Sequence, residues 1–364
     1  MGETKINIGP VHPSTHGVLR LVVTLDGDTV RKVEPHIGFL HRGVEKLVET
    51  RMYMQSPSYM EKIDYVAPLS YDELYVATVE AALGIAVKER AQYVRLIQLE
   101  LQRIASHLLW LGTAINDIGQ LFSVFMWCFK DRDIVLSLLE EATGGRMFYV
   151  NQRLGGLNRD MAPGFDKHAY KALDYLEKRI GEYQEYLESN PIFMERMKRI
   201  GIMSKEEAIS LGVTGPTLRG SGVEFDVRES YPYYVYEKLH FNTQFENGGD
   251  CFARYRVRIN EMKESIRLIR EALHIIPEGN AIGMPIRLIG PQPKEKEVMV
   301  RRELPRGEGM MYMVTEGQRP YRLSIRAPSF INTAILQHLP KGHRLQDLFP
   351  ILASVDTVMA DVDR

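Results

Sequence analysis

Cysteine is scarce in this chain. Its 364 residues include only Cys128 and Cys251, which are far apart and have no Cys-x-x-Cys neighbour. Two isolated thiols exclude a scaffold built on disulfides. They also fall short of the set of thiolate ligands that an iron–sulfur cluster requires. The chain therefore cannot hold such a cluster by itself.

The chain also lacks a long uninterrupted apolar run and a sizeable net charge. Its most apolar stretch, residues 108–129, is interrupted by Asn116, Asp117 and Gln120. A membrane-spanning helix needs roughly 20 mostly apolar residues in a row, so we expect a buried helical layer there instead. The formal net charge of −1 gives no electrostatic reason to bind nucleic acid or an anionic membrane surface.

Periodicity predicts strands near both ends of the chain and helices between them. Strand-like alternation over residues 5–35 includes a hairpin turn at Asp26, Gly27 and Asp28. A capping box at Ser204 predicts the start of a short helix. Helical spacing recurs at 88–113, 134–142, 167–187, 250–276 and about 345–353, and strand patterns at 297–304, 309–315 and 321–325.

These patterns predict an α+β fold in which a central helical bundle is flanked by small N-terminal and C-terminal β-sheets. We expect a single domain over residues 1–364. Its parts are an N-terminal β region (1–36), a helical core (37–280) and a β-rich C-terminal region with the tail (281–364). Glycines and prolines around residues 280–300 predict a surface excursion there.

Several segments resemble one known family, and they occur in that family's order. They read GPVHPSTHG at 9–17, IGFLHRGVEK at 37–46, SHLLWLG at 106–112, LRGSG at 218–222, GDCFAR at 249–254, RAPSF at 326–330 and DTVMADVDR at 356–364. The family is the quinone-pocket subunit (49 kDa, or D-type) of respiratory complex I, with its archaeal counterparts that oxidise reduced coenzyme F420. It is related to the large subunits of nickel–iron hydrogenases, so the resemblance implies a hydrogenase large-subunit-like fold.

The resemblance also implies a metal site that has lost its metal. In hydrogenase large subunits, two Cys-x-x-Cys motifs supply the thiolates that hold nickel and iron. At the matching positions this chain has Asp64 and Ala67 in the first motif, and Val358 and Asp361 in the second. Soft thiolates are what suit such a site to these metals. We therefore expect no nickel, iron or iron–sulfur cluster in this chain, and a quinone pocket in the vacated place.

Reduction of a quinone takes up electrons and protons at its carbonyl oxygens, so the pocket needs hydrogen-bond donors backed by a proton source. By resemblance the donors are His16 and Tyr65, and Asp117 orients the histidine. Histidine suits this task because its pKa lies near neutrality. Each residue also has a structural alternative: a turn histidine, a core tyrosine and a carboxylate that caps a helix.

The residues that the resemblance places around the quinone headgroup are His16, Tyr65, Lys62, Asp64, Val358 and Asp361. Lys62 stands where the family usually has an arginine near the partner's terminal cluster, and lysine lacks the planar fork of donors. Residues 147–151 also lack the histidine that many relatives carry there. The two departures together favour menaquinone or methanophenazine over ubiquinone as the acceptor. Other polar residues are interpreted as structural: His41, His107, and an ion-pair ladder formed by Arg254, Arg258 and Glu261. For these last three the resemblance implies an alternative, a charged path that leads from the pocket towards the membrane arm.

Three functions compete on these observations. The first is a peripheral-arm subunit of a complex I-type oxidoreductase that couples quinone reduction to ion translocation, with electrons from NADH, reduced coenzyme F420 or ferredoxin. The second is a hydrogenase large subunit, which the missing thiolates contradict. The third is a metal-free structural scaffold on the same fold, and it has no need of His16, Tyr65 and Asp117.

The first function implies a set of partners and a location. The partners are a small subunit with the terminal 4Fe-4S cluster, a membrane subunit that forms the quinone channel and other peripheral-arm subunits, with no nucleic acid. Residues 1–6 do not resemble a signal peptide. We therefore expect a peripheral protein on the cytoplasmic face of the cell membrane.

Overall fold

The computed structural model describes residues 3–15, 17–119, 122–285 and 293–364. Its strands are Thr4–Ile8 (β1), Arg20–Asp26 (β2), Thr29–His36 (β3), Gln152–Arg153 (β4), Gly156–Leu157 (β5), Lys296–Leu304 (β6), Gly307–Glu316 (β7) and Arg319–Arg326 (β8). Its helices are Val44–Glu49 (α1), Pro57–Met60 (α2), Pro68–Leu83 (α3), Glu89–Asp117 (α4), Phe122–Thr143 (α5), Phe165–Glu188 (α6), Pro191–Met197 (α7), Lys205–Ser210 (α8), Gly215–Arg219 (α9), Val227–Ser230 (α10), Cys251–Ile275 (α11), Pro328–Ala334 (α12), Leu348–Val355 (α13) and Met359–Asp363 (α14).

Two antiparallel three-stranded sheets lie at the two ends of the chain, in the orders β1-β2-β3 and β6-β7-β8. The predicted hairpin at residues 26–28 is confirmed, because Asp26 pairs with Thr29 across its turn. The three strands predicted after residue 296 are also confirmed. The mixed character of the fold, with helices between small sheets, agrees with the predicted α+β class.

The long helices α4 and α11 pack against each other in the main core. The sequence predicted both, together with α6. It also predicted a helix start at Ser204, whose hydroxyl accepts a hydrogen bond from the backbone N–H of Glu207 over 3.1 Å. Asp250 caps α11 in the same way, since its carboxylate accepts from the N–H of Ala253. Such caps satisfy N–H groups that the first turn of a helix leaves without partners.

The expectation of a buried helical layer over residues 108–129 is wrong in its second half. Helix α4 is buried almost to its end, but α5 starts at Phe122 and exposes 64% of Phe122 and 51% of Met126. Helix α5 turns only one face to the core, at Val124 and Cys128. The predicted start near residue 134 was therefore twelve residues too late. Among the described residues no helix is long and apolar enough to cross a membrane.

The predicted surface excursion at 280–300 lies partly outside the described residues, which omit 286–292. The described part before this gap is not a free loop. The N–H of Leu157 donates to the carbonyl of Ala281, and the N–H of Gly283 donates to the carbonyl of Leu157, each over 2.8 Å. Residues 281–283 therefore lie against β5.

Glycine is required where β5 meets this segment. A Cβ on Gly156 would lie 2.3 Å from the carbonyl oxygen of Ala281 and 2.8 Å from the nitrogen of Gly283. We expect Gly156→Ala to lower the free energy of unfolding by about 1–3 kcal/mol, because backbone has to move. The control is Gly181→Ala in α6, where a Cβ meets open space. It should raise stability by about 0.5–1 kcal/mol. Chemical denaturation measures both, and equal effects would contradict the close approach.

Candidate active site

Tyr65 lies in the turn that joins α2 to α3. The Asp64 carboxylate shapes this turn, because one of its oxygens accepts hydrogen bonds from the N–H groups of Val66 (3.1 Å) and Ala67 (3.2 Å). Helix α3 then starts at Pro68, whose ring suits the first helical position. Asp64 is buried, whereas the Tyr65 side chain remains 38% exposed. The turn therefore presents the tyrosine at the edge of a buried acidic group.

Arg306 connects this turn to the tail of the chain. It follows β6, is buried, and donates to the second carboxylate oxygen of Asp64 over 2.6 Å. Its other terminal nitrogen lies 3.6 Å from the carboxylate of Asp356, which ends α13 in a left-handed conformation (φ 58°). Sequence reasoning missed Arg306. The available signal was an arginine in a Pro-Arg-Gly turn between two predicted strands.

The tail is held against the same turn by further contacts. Asp361 accepts hydrogen bonds from the Tyr71 hydroxyl and, over 3.0 Å, from the N–H of Ser329. Val358 packs in a buried apolar cluster with Val66. Of the predicted headgroup residues, the structure thus brings Tyr65, Asp64, Val358 and Asp361 to one place.

Buried carboxylates and arginines lie close together at this place. Three carboxylates, Asp64, Asp356 and Asp361, lie near two guanidinium groups, those of Arg306 and Arg258. Burial raises the pKa of Asp64 to about 6 against the attraction of Arg306, and burial raises the pKa of Asp361 as well. Burial also raises the pKa of Tyr65, so its hydroxyl keeps its proton at neutral pH. The cluster can therefore hold and release a proton near neutrality beside a hydrogen-bond donor.

Lys62 has a different neighbourhood. Its ammonium group donates to the carbonyl of Ser58 over 2.7 Å and to the carboxylate of Glu61 over 3.1 Å, and it lies 5.4 Å from the centre of the Phe148 ring. The side chain is about half exposed, at 49%. The structure therefore places Lys62 on the surface beside the acidic cluster and gives it partners outside that cluster.

His16 lies outside the described residues, whereas Thr15 and Gly17 on either side of it are described. Thr15 is buried, and its hydroxyl donates to the carbonyl of His12 over 2.8 Å. A Cβ on Gly17 would come within 2.9 Å of the Met359 side chain. Gly17 thus packs against α14.

Asp117 is the last residue of α4 and is partly buried. It lies about 12 Å farther along the helix axis than Leu109, given the rise of about 1.5 Å per residue. Leu109 packs against the cluster of Val66 and Val358. Asp117 is therefore well separated from the turn that carries Tyr65.

A cavity of about 390 Å³ lies on another side of the tail. Asp363 and Arg364 contribute to its wall, together with Gly38 and His41. The Asp363 carboxylate accepts from the N–H groups of Gly38 and Leu40, each over 2.8 Å. The His41 ring lies 2.7 Å from the Asp363 carbonyl oxygen, so this histidine helps to fix the tail.

The predicted ion-pair ladder on α11 is wrong. Arg254 donates to the Ser354 hydroxyl over 2.9 Å, and Arg258 faces Asp356 with its guanidinium over the Trp110 ring. Glu261 accepts from Arg219 over 2.5 Å and lies 2.7 Å from the ring of His107. Arg254, Arg258 and Glu261 are buried, and their side chains reach other elements of the fold rather than forming ion pairs with one another. The structural role predicted for His107 agrees with these contacts.

The described residues include no group of three or more histidine, cysteine, aspartate or glutamate side chains arranged to hold a metal ion. Both cysteines are free and buried. The acidic oxygens of Asp64 and Asp361 are engaged by Arg306 and by Tyr71, respectively.

Comparison with known proteins identifies the family. Residues 117–364 match the family model described as the 49 kDa subunit of respiratory-chain NADH dehydrogenase. Over 100% of both chains, this chain is 42% identical to the H-type subunit of the chloroplastic NAD(P)H-quinone oxidoreductase of Chlorokybus atmophyticus. It is 41% identical to the D-type subunit of the NADH-quinone oxidoreductase of Dehalococcoides mccartyi, over 99% of this chain and 98% of the relative. It is also 41% identical to NADH-quinone oxidoreductase subunit 4 of Thermus thermophilus, over 99% and 93%.

These relatives are subunits of an oxidoreductase complex, and they cover the chain from end to end. The chain belongs to the family of the 49 kDa (D-type) subunit of respiratory-chain NADH dehydrogenase. The resemblance found in the sequence is thereby confirmed, as is the prediction that the chain is a subunit of an enzyme.

Tyr71 offers a test of the acidic cluster. The folded-state pKa of Asp361 is raised by burial, so its contribution to stability falls as pH rises above the unfolded value of about 3.9. The Tyr71 hydroxyl opposes this shift by donating to the charged carboxylate. We expect Tyr71→Phe to destabilise the fold by about 1.5–3 kcal/mol at about pH 8, and by less at about pH 5. Unfolding monitored by hydrogen exchange at both pH values measures this difference.

The control is Tyr75→Phe, one turn later in α3. The Tyr75 hydroxyl donates to the neutral backbone carbonyl of Tyr53 over 3.0 Å and is also buried. Its loss should cost about 0.5–1.5 kcal/mol at either pH. A Tyr71→Phe cost that does not change with pH would show that Asp361 is not the titrating partner.

Proposed function

We propose that this chain forms the quinone-reduction pocket of a complex I-type oxidoreductase together with the neighbouring iron–sulfur subunit, and that this reduction drives ion translocation. The observation that carries the proposal is the position of the Tyr65 hydroxyl, which stays protonated, beside a buried cluster that can exchange a proton near neutrality. Family membership supports it, since the relatives are named as quinone oxidoreductase subunits.

In the proposed reaction, two electrons come from the terminal 4Fe-4S cluster of the partner subunit. Each quinone carbonyl oxygen accepts a proton, so that quinone becomes quinol. Tyr65 donates to one oxygen and His16 to the other, with Asp117 as the acid that orients His16 and stabilises its charged form. Tyr65 and His16 are then re-protonated before the next turnover.

We also propose that this chain is a metal-free relative of the large subunits of nickel–iron hydrogenases. In a hydrogenase the metals would join the two thiolate motifs. Here Asp64 and Asp356 meet at Arg306, and Asp361 binds Tyr71. Contacts between side chains thus tie the two segments together, which supports a metal-free relative of that fold and a single domain over residues 1–364.

The names of the relatives favour NADH as the electron donor, which would reach the pocket through other subunits. Reduced coenzyme F420 and ferredoxin remain predicted alternatives, as do menaquinone, ubiquinone and methanophenazine as acceptors. A purely structural scaffold is the second candidate function. The partly exposed Tyr65 beside carboxyl groups of raised pKa argues against it, because a scaffold has no need of a proton donor next to such groups.

The exposed apolar face at the start of α5 supports the proposed partners. Phe122, Met126 and Phe129 are all substantially exposed and, at intervals of four and three residues, lie on one face of the helix. Contiguous apolar surface of this kind marks contact sites with other proteins. We infer that the iron–sulfur subunit and the membrane subunit cover this region, which would place the chain on the cytoplasmic face of the membrane as a peripheral subunit.

Removing a proton donor should slow quinone reduction in the assembled complex. We expect Tyr65→Phe and His16→Ala each to lower the rate by about 10²-fold, the usual cost of one donor in a protected site. Reduction of the partner's iron–sulfur cluster should stay normal. The control is Tyr321→Phe, on an exposed tyrosine of β8. Full activity of both donor variants with the native quinone would place the proton donors elsewhere.

The apolar face of α5 should limit the solubility of the isolated chain. We expect the double variant Phe122→Ser, Met126→Ser to give more soluble monomer than the wild type, because it removes exposed apolar surface. Co-expression with the iron–sulfur subunit should have the same effect on the wild type. The control is Ile209→Ser, since Ile209 is also 57% exposed but lies on α8. A wild-type chain that is a stable monomer without affinity for that subunit would contradict the proposed interface.

A further inference from the structure

One face of α4 carries a line of buried polar side chains. Arg95, Gln98, Gln102 and Ser106 follow at intervals of three, four and four residues, so they lie one above another along the helix. All are fully buried. Each has one side-chain atom without a hydrogen-bond partner: Nε of Arg95, Nε2 of Gln98, Oε1 of Gln102 and Oγ of Ser106.

Further unpartnered groups lie beside this line. Gln152 donates from its side-chain amide to Oε1 of Gln98 over 3.1 Å, and its own Oε1 has no partner. Its backbone N–H lies 3.3 Å from Oδ2 of Asp72, to which it donates. Oδ1 of Asp72 has no partner, although Asp72 is fully buried. Hydrogen bonds thus connect α3, β4 and α4 through a set of half-satisfied side chains.

Bound water satisfies such a set better than any ion. Leaving a buried polar group without a hydrogen-bond partner destabilises the fold, and several such groups occur here side by side. The unpartnered atoms include donors, on Arg95 and Gln98, and acceptors, on Gln102 and Gln152. A cation would face the donors and an anion the acceptors, whereas a water molecule both donates and accepts. Neighbouring positions on a helix face are about 5–6 Å apart, a distance that one water bridges.

The line meets both ends of the turn that carries Tyr65. The amide nitrogen of Gln102 donates to the carbonyl of Val66 over 3.0 Å, at the end of this turn that leads into α3. Near Gln98, Asp72 lies close enough to Glu61, at the start of the turn, for the charge of Glu61 to raise its pKa. Glu61 has one unpartnered oxygen and accepts from the exposed Lys62 with the other.

We propose that bound water molecules form a file along this face of α4, and that the file carries protons from Glu61 and the exposed Lys62, at the start of the turn, past Asp72 to Val66 at its other end, next to Tyr65. The file itself is independent of the proposed function. Its role rests on that function, because it replaces the proton that Tyr65 gives to the quinone. The first water molecule accepts a proton, each water molecule passes one proton to the next, and the last one donates a proton at the turn. The composition of the file is therefore the same after each transfer.

The carboxyl group of Asp72 is suited to pass protons along such a file. Burial raises its pKa well above the usual range, and the nearby carboxyl groups of Glu61 and Glu73 act in the same direction, while Arg95 opposes them. A neutral carboxyl group can donate and accept hydrogen bonds at once, as a relay requires.

The first test is a cryo-electron microscopy map of the assembled complex at a resolution that shows ordered water. We expect density within hydrogen-bond distance of Gln98 Nε2, Gln102 Oε1 and Asp72 Oδ1. A dry interface in which these atoms pair with one another would overturn the proposal.

The second test separates proton transfer from packing. Gln102→Leu keeps the size of the side chain but removes its polar atoms. The control is Gln92→Leu on the same helix, which also loses an amide that donates to a backbone carbonyl, that of Val87, over 3.0 Å. We expect Gln102→Leu to lower quinone reduction by at least about tenfold and to enlarge the solvent deuterium isotope effect. The Gln92→Leu variant should change neither.

The outcomes distinguish the file from the proposed function. If Tyr65→Phe slows the reaction while Gln102→Leu leaves the rate and the isotope effect unchanged, the file does not deliver protons and the proposed function stands. A slower rate without a change in isotope effect means that Gln102 acts through packing, which also overturns the role. If Tyr65→Phe itself retains full activity, the proposed function fails, whatever Gln102→Leu does.

Discussion

A buried charge must have a partner of opposite sign, and Arg306 meets this constraint for the tail and for the Tyr65 turn at once. Its guanidinium lies between Asp64 and Asp356, two carboxylates from distant parts of the chain. Without Arg306 these groups would face each other in a region that excludes water, which is strongly unfavourable. The turn that begins α3 and the residue that ends α13 therefore have their places fixed by one side chain.

A second buried network holds the long helices in register. Arg219 pairs with Glu261 and Glu303, and Arg228 pairs with Glu100 and Asp226. Burial raises the pKa of Glu303 to about 7 against its arginine neighbours. These pairs join α4, α9, α10, α11 and β6. Because removing either partner of a buried pair leaves an uncompensated charge, the network restricts how these elements can pack.

Local signals in the sequence were sufficient for most of the secondary structure. The turn at Gly27 and the caps at Ser204 and Asp250 act within a few residues, so a single sequence carries them. Pairing between distant segments is not encoded in this way. Arg306 finds Asp64 across more than two hundred residues, and nothing near either residue indicates the other. The same limit explains why the predicted ion-pair ladder on α11 was wrong. Helical spacing showed which residues are neighbours on the helix, but contacts with other elements of the fold determine their hydrogen-bond and ion-pair partners.

The candidate site shows both what the sequence could predict and what it could not. The resemblance named Tyr65, Asp64, Val358 and Asp361, and the structure brings these residues together. The start of α5 shows the second of these, because an apolar run predicts burial without saying whether the chain itself or another protein covers it. Spacing alone separates these cases poorly.

The two free cysteines have a practical consequence for experiments on the whole complex. Both thiols are buried, and burial raises the pKa of Cys128 and of Cys251, so neither forms a reactive thiolate readily. A cysteine introduced at an exposed position such as Ile209 would then be the thiol in this chain that reacts with a spin label. The native sequence is therefore already a suitable background for measuring distances by paramagnetic resonance from this subunit to an iron–sulfur centre in a neighbour.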